Sequence, residues 1–373
     1  LGLGALLNIL VVACAFVWCL QQADVRLRRV FLLWAAPLAV MVLGVAYAPD
    51  AMPAFKRLIA FTSYCAVFVM GYLLSLEQRL QTLLKVVVGS SILPLLVGGV
   101  QLATGNLFNE GRLAATFTHP NIFAFYCLLV LIALAALPQT TRAPSVTTQK
   151  SWIRLKAPYL LMPFLAVSIL LTQTRSAWAA LTIASLMYGV LIQRKVLIWM
   201  ALLVVVAAFT PAVQDRMLDL FSGNQVVQYA KLNSFAWRQY IWESGLNWMS
   251  PTHYLFGYGI GGFYYYSPDF FPLSGGKPFG AHNVFVERFF DGGIVAVGVF
   301  AVFIGTQFFA AIRLLSVNKT LGLVYLTLLV SYLTLNFSDN VVDYLAYNWY
   351  YWAVAGGLFA VAPEAAQKRK SPA

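Results

Sequence analysis

The sequence predicts an all-α membrane protein of many spans, on three observations. Hydrophobic residues make up 61% of it and charged residues only 10%, where a soluble domain is nearer about a quarter charged. Its apolar residues gather into runs long enough to cross a bilayer. The lysines and arginines between those runs fall unequally on alternate loops, as they do in chains whose orientation is set by positive charge.

An apolar helix of roughly twenty residues spans a bilayer, and shorter runs do so inside a bundle. Eleven such runs are present, at 1–20, 30–47, 58–76, 86–103, 122–137, 157–171, 177–192, 196–209, 293–312, 321–335 and 344–361. Of the 25 lysines and arginines, nine fall in one alternating set of loops: Lys56, Arg57, Arg112, Arg175, Arg216, Lys231, Arg238, Lys277 and Arg288. The other sixteen, Arg26, Arg142, Lys150, Arg154, Lys156 and the tail cations Lys368, Arg369 and Lys370 among them, define the cytoplasmic side. Leu1 then lies outside, which implies one helix upstream and twelve in the native chain. Acidic residues fall the other way, with only Asp24, Glu77 and Glu364 of the thirteen inside.

The organisation that follows is a set of N-terminal transmembrane helices over 1–210, a large outer loop over 211–288, C-terminal transmembrane helices over 289–363, and a basic cytoplasmic tail over 364–373. Within the outer loop, 233–249 carries Phe235, Trp237, Ile241, Trp242, Leu246 and Trp248 and reads as an interfacial helix, because indole rings favour the membrane boundary. Cys14, Cys19, Cys65 and Cys127 sit inside apolar runs and read as small buried hydrophobes, neither a disulfide nor a zinc set. The net charge of +12 is explained by topological signalling in the loops and does not call for nucleic acid.

The outward cations oppose the positive-inside tendency, and several stand at the ends of apolar runs where desolvation is costly. An anionic ligand accounts for them. Arg175, in Thr172-Gln173-Thr174-Arg175-Ser176, occupies a polar turn between two runs and reads either as an anion ligand or as a snorkelling side chain. Arg112 precedes Thr116-Phe117-Thr118-His119-Pro120-Asn121, which is either part of a binding site or a loop positioned by Pro120 with Asn121 capping the next helix. Arg238, beside Trp237 and Trp242, serves either an anion or an aromatic face.

His282 follows a segment rich in Gly and Pro, 271–281, and heads the next helix, as a base, a cap or a packing residue. Helical spacing from it reaches Phe285, Val286 and Phe289, while Glu287 and Asp291 pair with each other on another side. Any group that orients its imidazole must therefore come from elsewhere, and Asp339 in Asn336-Phe337-Ser338-Asp339-Asn340 is the outer-loop candidate. The run Gly257-Tyr258-Gly259-Ile260-Gly261-Gly262 is superficially like a nucleotide-binding loop, but no βαβ unit surrounds it. There is no HExxH motif, paired-Cys motif or Asp-x-Asp cluster, so neither metal nor cofactor is expected and charge must be stabilised by side chains. Arginine suits that task, since its guanidinium stays protonated and grips phosphate oxygens in pairs.

Arg112 with Pro120-Asn121, the Thr172 to Ser176 turn, Trp237-Arg238, and the block His282-Asn283-x9-Gly293 together resemble the O-antigen ligase and polymerase superfamily, its ligases most. In ligases that block closes with Gly, Thr or Tyr three residues after the Gly, where this chain has Ala296. The resemblance implies a GT-C-like glycosyltransferase architecture in the inner membrane of a Gram-negative bacterium, with its active site facing the periplasm. The implied donor is undecaprenyl pyrophosphate-linked O-antigen, the acceptor lipid A-core oligosaccharide, and the only other partners membrane lipids. Arg175 and Arg238 would contact the pyrophosphate, and His282 would take the acceptor's proton as general base. Lys56, Arg57, Arg112 and Arg288, with Asn121, Asn283 and Asp339, complete the expected substrate-binding set. A polymerase or a protein O-oligosaccharyltransferase of the same superfamily is the alternative. A lipid-linked glycan transporter fits less well, because its ionisable residues would line a path through the helices.

Overall fold

The protein is described from a computed structural model, which covers residues 3–21, 27–140, 157–219, 223 and 232–363. The expected basic tail at 364–373, the cytoplasmic-loop cations at 26, 142, 150, 154 and 156, and Lys231 lie outside the described residues. Among the described residues every one of the eleven apolar runs is helical, and no strand is formed. In chain order the helices are α1 (Leu3–Gln21), α2 (Leu27–Ala46), α3 (Ala51–Leu76), α4 (Leu80–Ser90), α5 (Ile92–Thr104), α6 (Pro120–Ala136), α7 (Leu161–Leu171), α8 (Arg175–Leu191) and α9 (Lys195–Ala208). They continue as α10 (Pro211–Leu218), α11 (Ser234–Trp248), α12 (Gly262–Phe270), α13 (Val284–Val317), α14 (Lys319–Ser338) and α15 (Leu345–Val361). Among the described residues seven spans are long and apolar enough to cross a membrane by length and composition, so this is a multi-pass membrane protein.

Three boundaries differ from the hydropathy reading. The 86–103 run is two helices, broken at Ser91; Pro94 has no N–H for the Ser90 carbonyl and its ring crowds that turn. Helix α3 starts at Ala51, so Lys56 and Arg57 ride on a helix and not in a loop. Helix α13 starts at Val284, which brings Glu287, Arg288 and Asp291 into its first turns. Both early starts have one cause, the mutual neutralisation of these charges described below.

The chain forms two compact units, each built from separated segments. One comprises 70–213, 307–334 and 350–373. Its centre is α6, a helix apolar on all sides and buried from Phe123 to Val130 without interruption, as a helix with no polar face must be. A Cβ on Gly71 would lie 2.0 Å from the Ala353 carbonyl oxygen, so α3 and α15 meet backbone to backbone there, the close approach that small residues permit between membrane helices.

The other unit comprises 1–69, 214–306 and 335–349. Its helices pack on Trp34, fully buried, whose ring meets Phe303 at 4.8 Å, Phe61 at 5.5 Å and Phe68 at 5.6 Å. The polar segment has a core of its own, with Ile241, Met249, Phe263, Phe270, Phe271 and Ala281 gathered round Phe290 of α13. Within that segment α11 confirms the helix read at 233–249; Asn233 caps it by accepting from the N–H groups of Phe235 and Ala236 at 3.0 and 2.8 Å.

Helix α13 kinks at Gly293, which sits at φ 63°, ψ −164°. The kink frees backbone groups, and the glycine-rich run at 257–262 supplies their partners. Tyr258 N–H donates to the Phe290 carbonyl at 2.9 Å and Gly259 N–H to that of Asp291 at 2.8 Å, while Ile294 N–H reaches the Tyr254 carbonyl at 2.8 Å. A Cβ on Gly257 would fall 2.4 Å from the Asp291 carbonyl carbon. The glycines are there because backbone meets backbone.

Candidate functional site

His282 stands in the residue before the cap of α13. Asn283 is the cap, its side-chain oxygen accepting from Phe285 N–H at 2.9 Å and Val286 N–H at 3.2 Å, and it is buried. His282 itself therefore lies outside the helix and takes a left-handed backbone conformation, φ 49°. That conformation is costly for a side-chain-bearing residue and persists only where the surroundings impose it. They do so here on both sides: the indole N–H of Trp242 donates to the carbonyl of buried Ala281 at 2.5 Å, and Asn283 is fixed by its capping bonds.

The imidazole is 41% exposed and its Nδ1 lies 3.2 Å from Oδ1 of Asp339, whose side chain is 2% exposed. An ionised carboxylate only accepts, so this contact makes Nδ1 the protonated nitrogen and leaves the basic lone pair on Nε2. Asp339 also accepts from the Asn340 N–H at 2.9 Å. Burial, and then the Asp339 charge, push the Tyr344 phenol well above the ordinary range, with Arg238 close enough to pull it the other way. Trp237, next to Arg238 on α11, places its ring 6.0 Å from the His282 ring. A histidine, its carboxylate, a tyrosine and an arginine thus come together from α11, the start of α13 and the α14–α15 connection.

A second cluster adjoins it in the same unit. Arg57 contacts Glu287 at 3.1 Å, Asp343 at 3.4 Å and Asp291 at 3.8 Å. Glu287 and Asp291 are buried, so the expectation that they pair with each other is corrected: like charges four residues apart need a shared cation in a poorly solvated place, and Arg57 is that cation. Asp291 further accepts from Gly261 N–H at 2.7 Å and Phe263 N–H at 2.8 Å. Glu287 accepts from the Asn340 carboxamide, which joins this cluster to the turn bearing Asp339. Arg288 lies over the rings of Phe300 at 5.1 Å and Phe61 at 5.8 Å. Lys56, Arg57 and Arg288 help line a cleft of about 210 Å³ with Phe61, Tyr64 and Ile260.

Arg112, Asn121 and Arg175 belong to the other unit. Arg112 donates to the Thr172 carbonyl at 2.9 Å, to Asn121 Oδ1 at 2.7 Å and to Thr174 Oγ1 at 3.2 Å. The cap of α6 is His119, whose Nδ1 accepts from Asn121 N–H at 3.1 Å; Asn121 is not the cap, because its own oxygen is engaged by Arg112. Thr174 sits at the cap position of α8 without capping it, its hydroxyl directed to Asn121 at 3.2 Å. Arg175 is the first residue of that helix, where a cation is poorly placed against the helix dipole and an anion well placed.

Residues 160–301 match the family model described as O-antigen ligase. Over that stretch the chain is similar to the O-antigen ligase family. No curated protein matches it. The matched stretch holds Arg175, Arg238, His282, Asn283 and Arg288, and stops short of Asp339 and Tyr344. Superfamily members are glycosyltransferase-like enzymes whose partners are lipids and lipid-linked glycans. Sequence reasoning did not reach Tyr344, Asn340 or Asp343 as parts of the site. One signal was available: two carboxylates inside an apolar stretch demand a cation, and that demand leads to Arg57.

Proposed function

We propose that this chain is an inverting, metal-independent glycosyltransferase that ligates O-antigen glycan from undecaprenyl pyrophosphate onto lipid A-core oligosaccharide at the periplasmic face of the inner membrane. The observation that carries the reading is the half-exposed His282 held at 3.2 Å by buried Asp339. Such a pair presents one basic nitrogen in a fixed direction, as abstraction of an acceptor proton requires. The acceptor oxygen forms its bond to the anomeric carbon as the bond to the pyrophosphate oxygen breaks. The hydroxyl proton passes to Nε2 and the electron pair leaves on the pyrophosphate, with inversion at carbon. Arg238 is assigned to the charge that develops on the leaving group, where a pre-aimed cation contributes several kcal/mol; Arg175 receives the same assignment from its motif position.

The test is a lipopolysaccharide gel from a strain lacking the protein, complemented with the intact chain or with His282→Ala. Loss of all O-chain with lipid-linked polymer accumulating, restored only by the intact chain, is the expected result. Cores bearing a single repeat would identify a polymerase instead, and an unchanged pattern would reject both.

A further inference from the structure

His282 and Asp339 come from separate parts of the fold, one from the approach to α13 and the other from the connection between α14 and α15. A single contact of 3.2 Å between two side chains does not by itself fix how far apart those parts stand. A second tie runs beside it. The Asn340 carboxamide donates through Nδ2 to Oε2 of Glu287 on α13, while the Asn340 main-chain N–H donates to Asp339 Oδ1 at 2.9 Å. Glu287 is held in turn, because Arg57 donates to its other oxygen at 3.1 Å. Glu287 and Asn340 are only 6% and 9% exposed, so water competes poorly for either end of their bond. The Oδ1 of the same carboxamide is buried without a partner among the described residues, so the bond to Glu287, which as a carboxylate only accepts, sets which way the group faces. Room is left for it as well: a Cβ on Gly280 would lie 2.8 Å from Asn340 Nδ2. The carboxamide thus packs against the chain leading into His282 and bonds the helix leading out of it.

Resting on the reading of His282 as a base, we infer that Asn340 and Glu287 are positioning residues for the reaction: their bond sets the spacing between the start of α13 and the turn that carries Asp339, and so the direction in which the imidazole presents Nε2. The tie is needed because neither member of the pair is inside a regular helix. His282 precedes the cap of α13, and Asp339 follows Ser338, the last residue of α14. Helical hydrogen bonds stop short of both, and a site is only as precise as the side chains that support it. The bond also makes Arg57, Glu287, Asn340, Asp339 and His282 one hydrogen-bonded chain. Buried Glu287 therefore does more than share a counter-ion with Asp291: it anchors the base's partner to the base's own helix.

The experiment uses the full chain in detergent with lipid-linked glycan as donor, and compares Asn340→Asp, Asn340→Ala and Asn340→Asp combined with Glu287→Gln. Asn340→Asp keeps the shape but sets a carboxylate against a carboxylate. The double variant restores one donor and one acceptor in reversed order, leaves an oxygen facing Arg57 and keeps the number of charges. Asn340→Asp and Asn340→Ala are each expected to lower kcat by roughly tenfold or more with KM unchanged, as displacement of a base does when substrate contacts stay in place. The double variant should recover most of the loss. A double variant as slow as Asn340→Asp would overturn the inference, and so would a lowered melting temperature in Asn340→Ala with kcat intact, which would make the bond structural only. A second readout does not depend on turnover: with ¹⁵N-labelled histidine, the ring resonances of His282, identified among the three histidines by their absence in His282→Ala, should move in Asn340→Ala. Resonances untouched by Asn340→Ala would also overturn it. If they move as expected while the intact chain transfers glycan to no lipid A-core acceptor, the proposed function fails and the positioning role of the Asn340–Glu287 bond stands.

Discussion

Two guanidinium groups in this protein have opposite settings, and their variants should separate accordingly. Arg57 is the shared counter-ion of buried Glu287 and Asp291. Removing it leaves uncompensated buried charge, which costs about 3 kcal/mol or more. Arg57→Met should therefore melt well below the intact protein in detergent, and adding Glu287→Gln with Asp291→Asn should restore most of the loss; a triple variant no more stable than the single one would show that Arg57 works in another way. Arg238 is the cation to which the proposed reading gives the charge of the leaving group. Arg238→Ala should abolish transfer while leaving the melting temperature within a few degrees of the intact protein, and Arg238→Lys should recover little, because an ammonium lacks the paired donors of a guanidinium. At this scale the sequence displayed residue types and withheld partners. His282, Arg238 and Asp339 were legible as an outward histidine, cation and carboxylate, but nothing local marks Tyr344, which reads as the first residue of an apolar run.

At the scale of elements, the glycine-rich run and the kinked helix form one device. Gly293 occupies a conformation open in practice to glycine alone, worth about 1–3 kcal/mol against any other residue, and a Cβ there would lie 2.3 Å from the Leu255 carbonyl carbon. Gly293→Ala is expected to lower the melting temperature and the activity together, whereas Gly298→Ala, where a Cβ would meet nothing within 4 Å, should change neither; equal effects at the two positions would contradict the device. Hydropathy located the helices of the eleven apolar runs, since lipid demands a closed backbone and a nonpolar surface whatever the neighbours are. It misplaced the starts of α3 and α13 for an equally physical reason: charges at a helix end read as loop until the partners that neutralise them, here far apart in sequence, are known. The break at Ser91 was written in Pro94 but masked by the apolar residues on both sides.

For the whole molecule, the proposed reading puts the 211–288 segment on the outer face, from the distribution of lysine and arginine. A reporter active only in the periplasm should be active when fused after Lys277 and silent when fused after Arg194; the reverse pattern would invert the proposed orientation and with it the donor's side. The two compact units divide the expected site residues between them, with Lys56, Arg57, Arg238, Asn283, Arg288, His282 and Asp339 in one and Arg112, Asn121 and Arg175 in the other. In the second unit Arg112 ties the Thr172–Thr174 turn to Asn121 through three hydrogen bonds. Arg112→Ala should accordingly weaken both stability and transfer, a joint loss that a purely ligand-binding role would not give.

The kink at Gly293 has one more consequence. Its freed carbonyls are already bonded to the glycine-rich run, so the limb of α13 that begins beside His282 cannot be drawn toward a ligand without breaking them. On the proposed reading of His282, the base is a fixed post. For the proposed transfer between two lipid-anchored sugars, selection then becomes a question of reach: a substrate is used if its own anchor lets its reacting atom arrive at that post, and a correct sugar held at the wrong distance from its lipid is passed over.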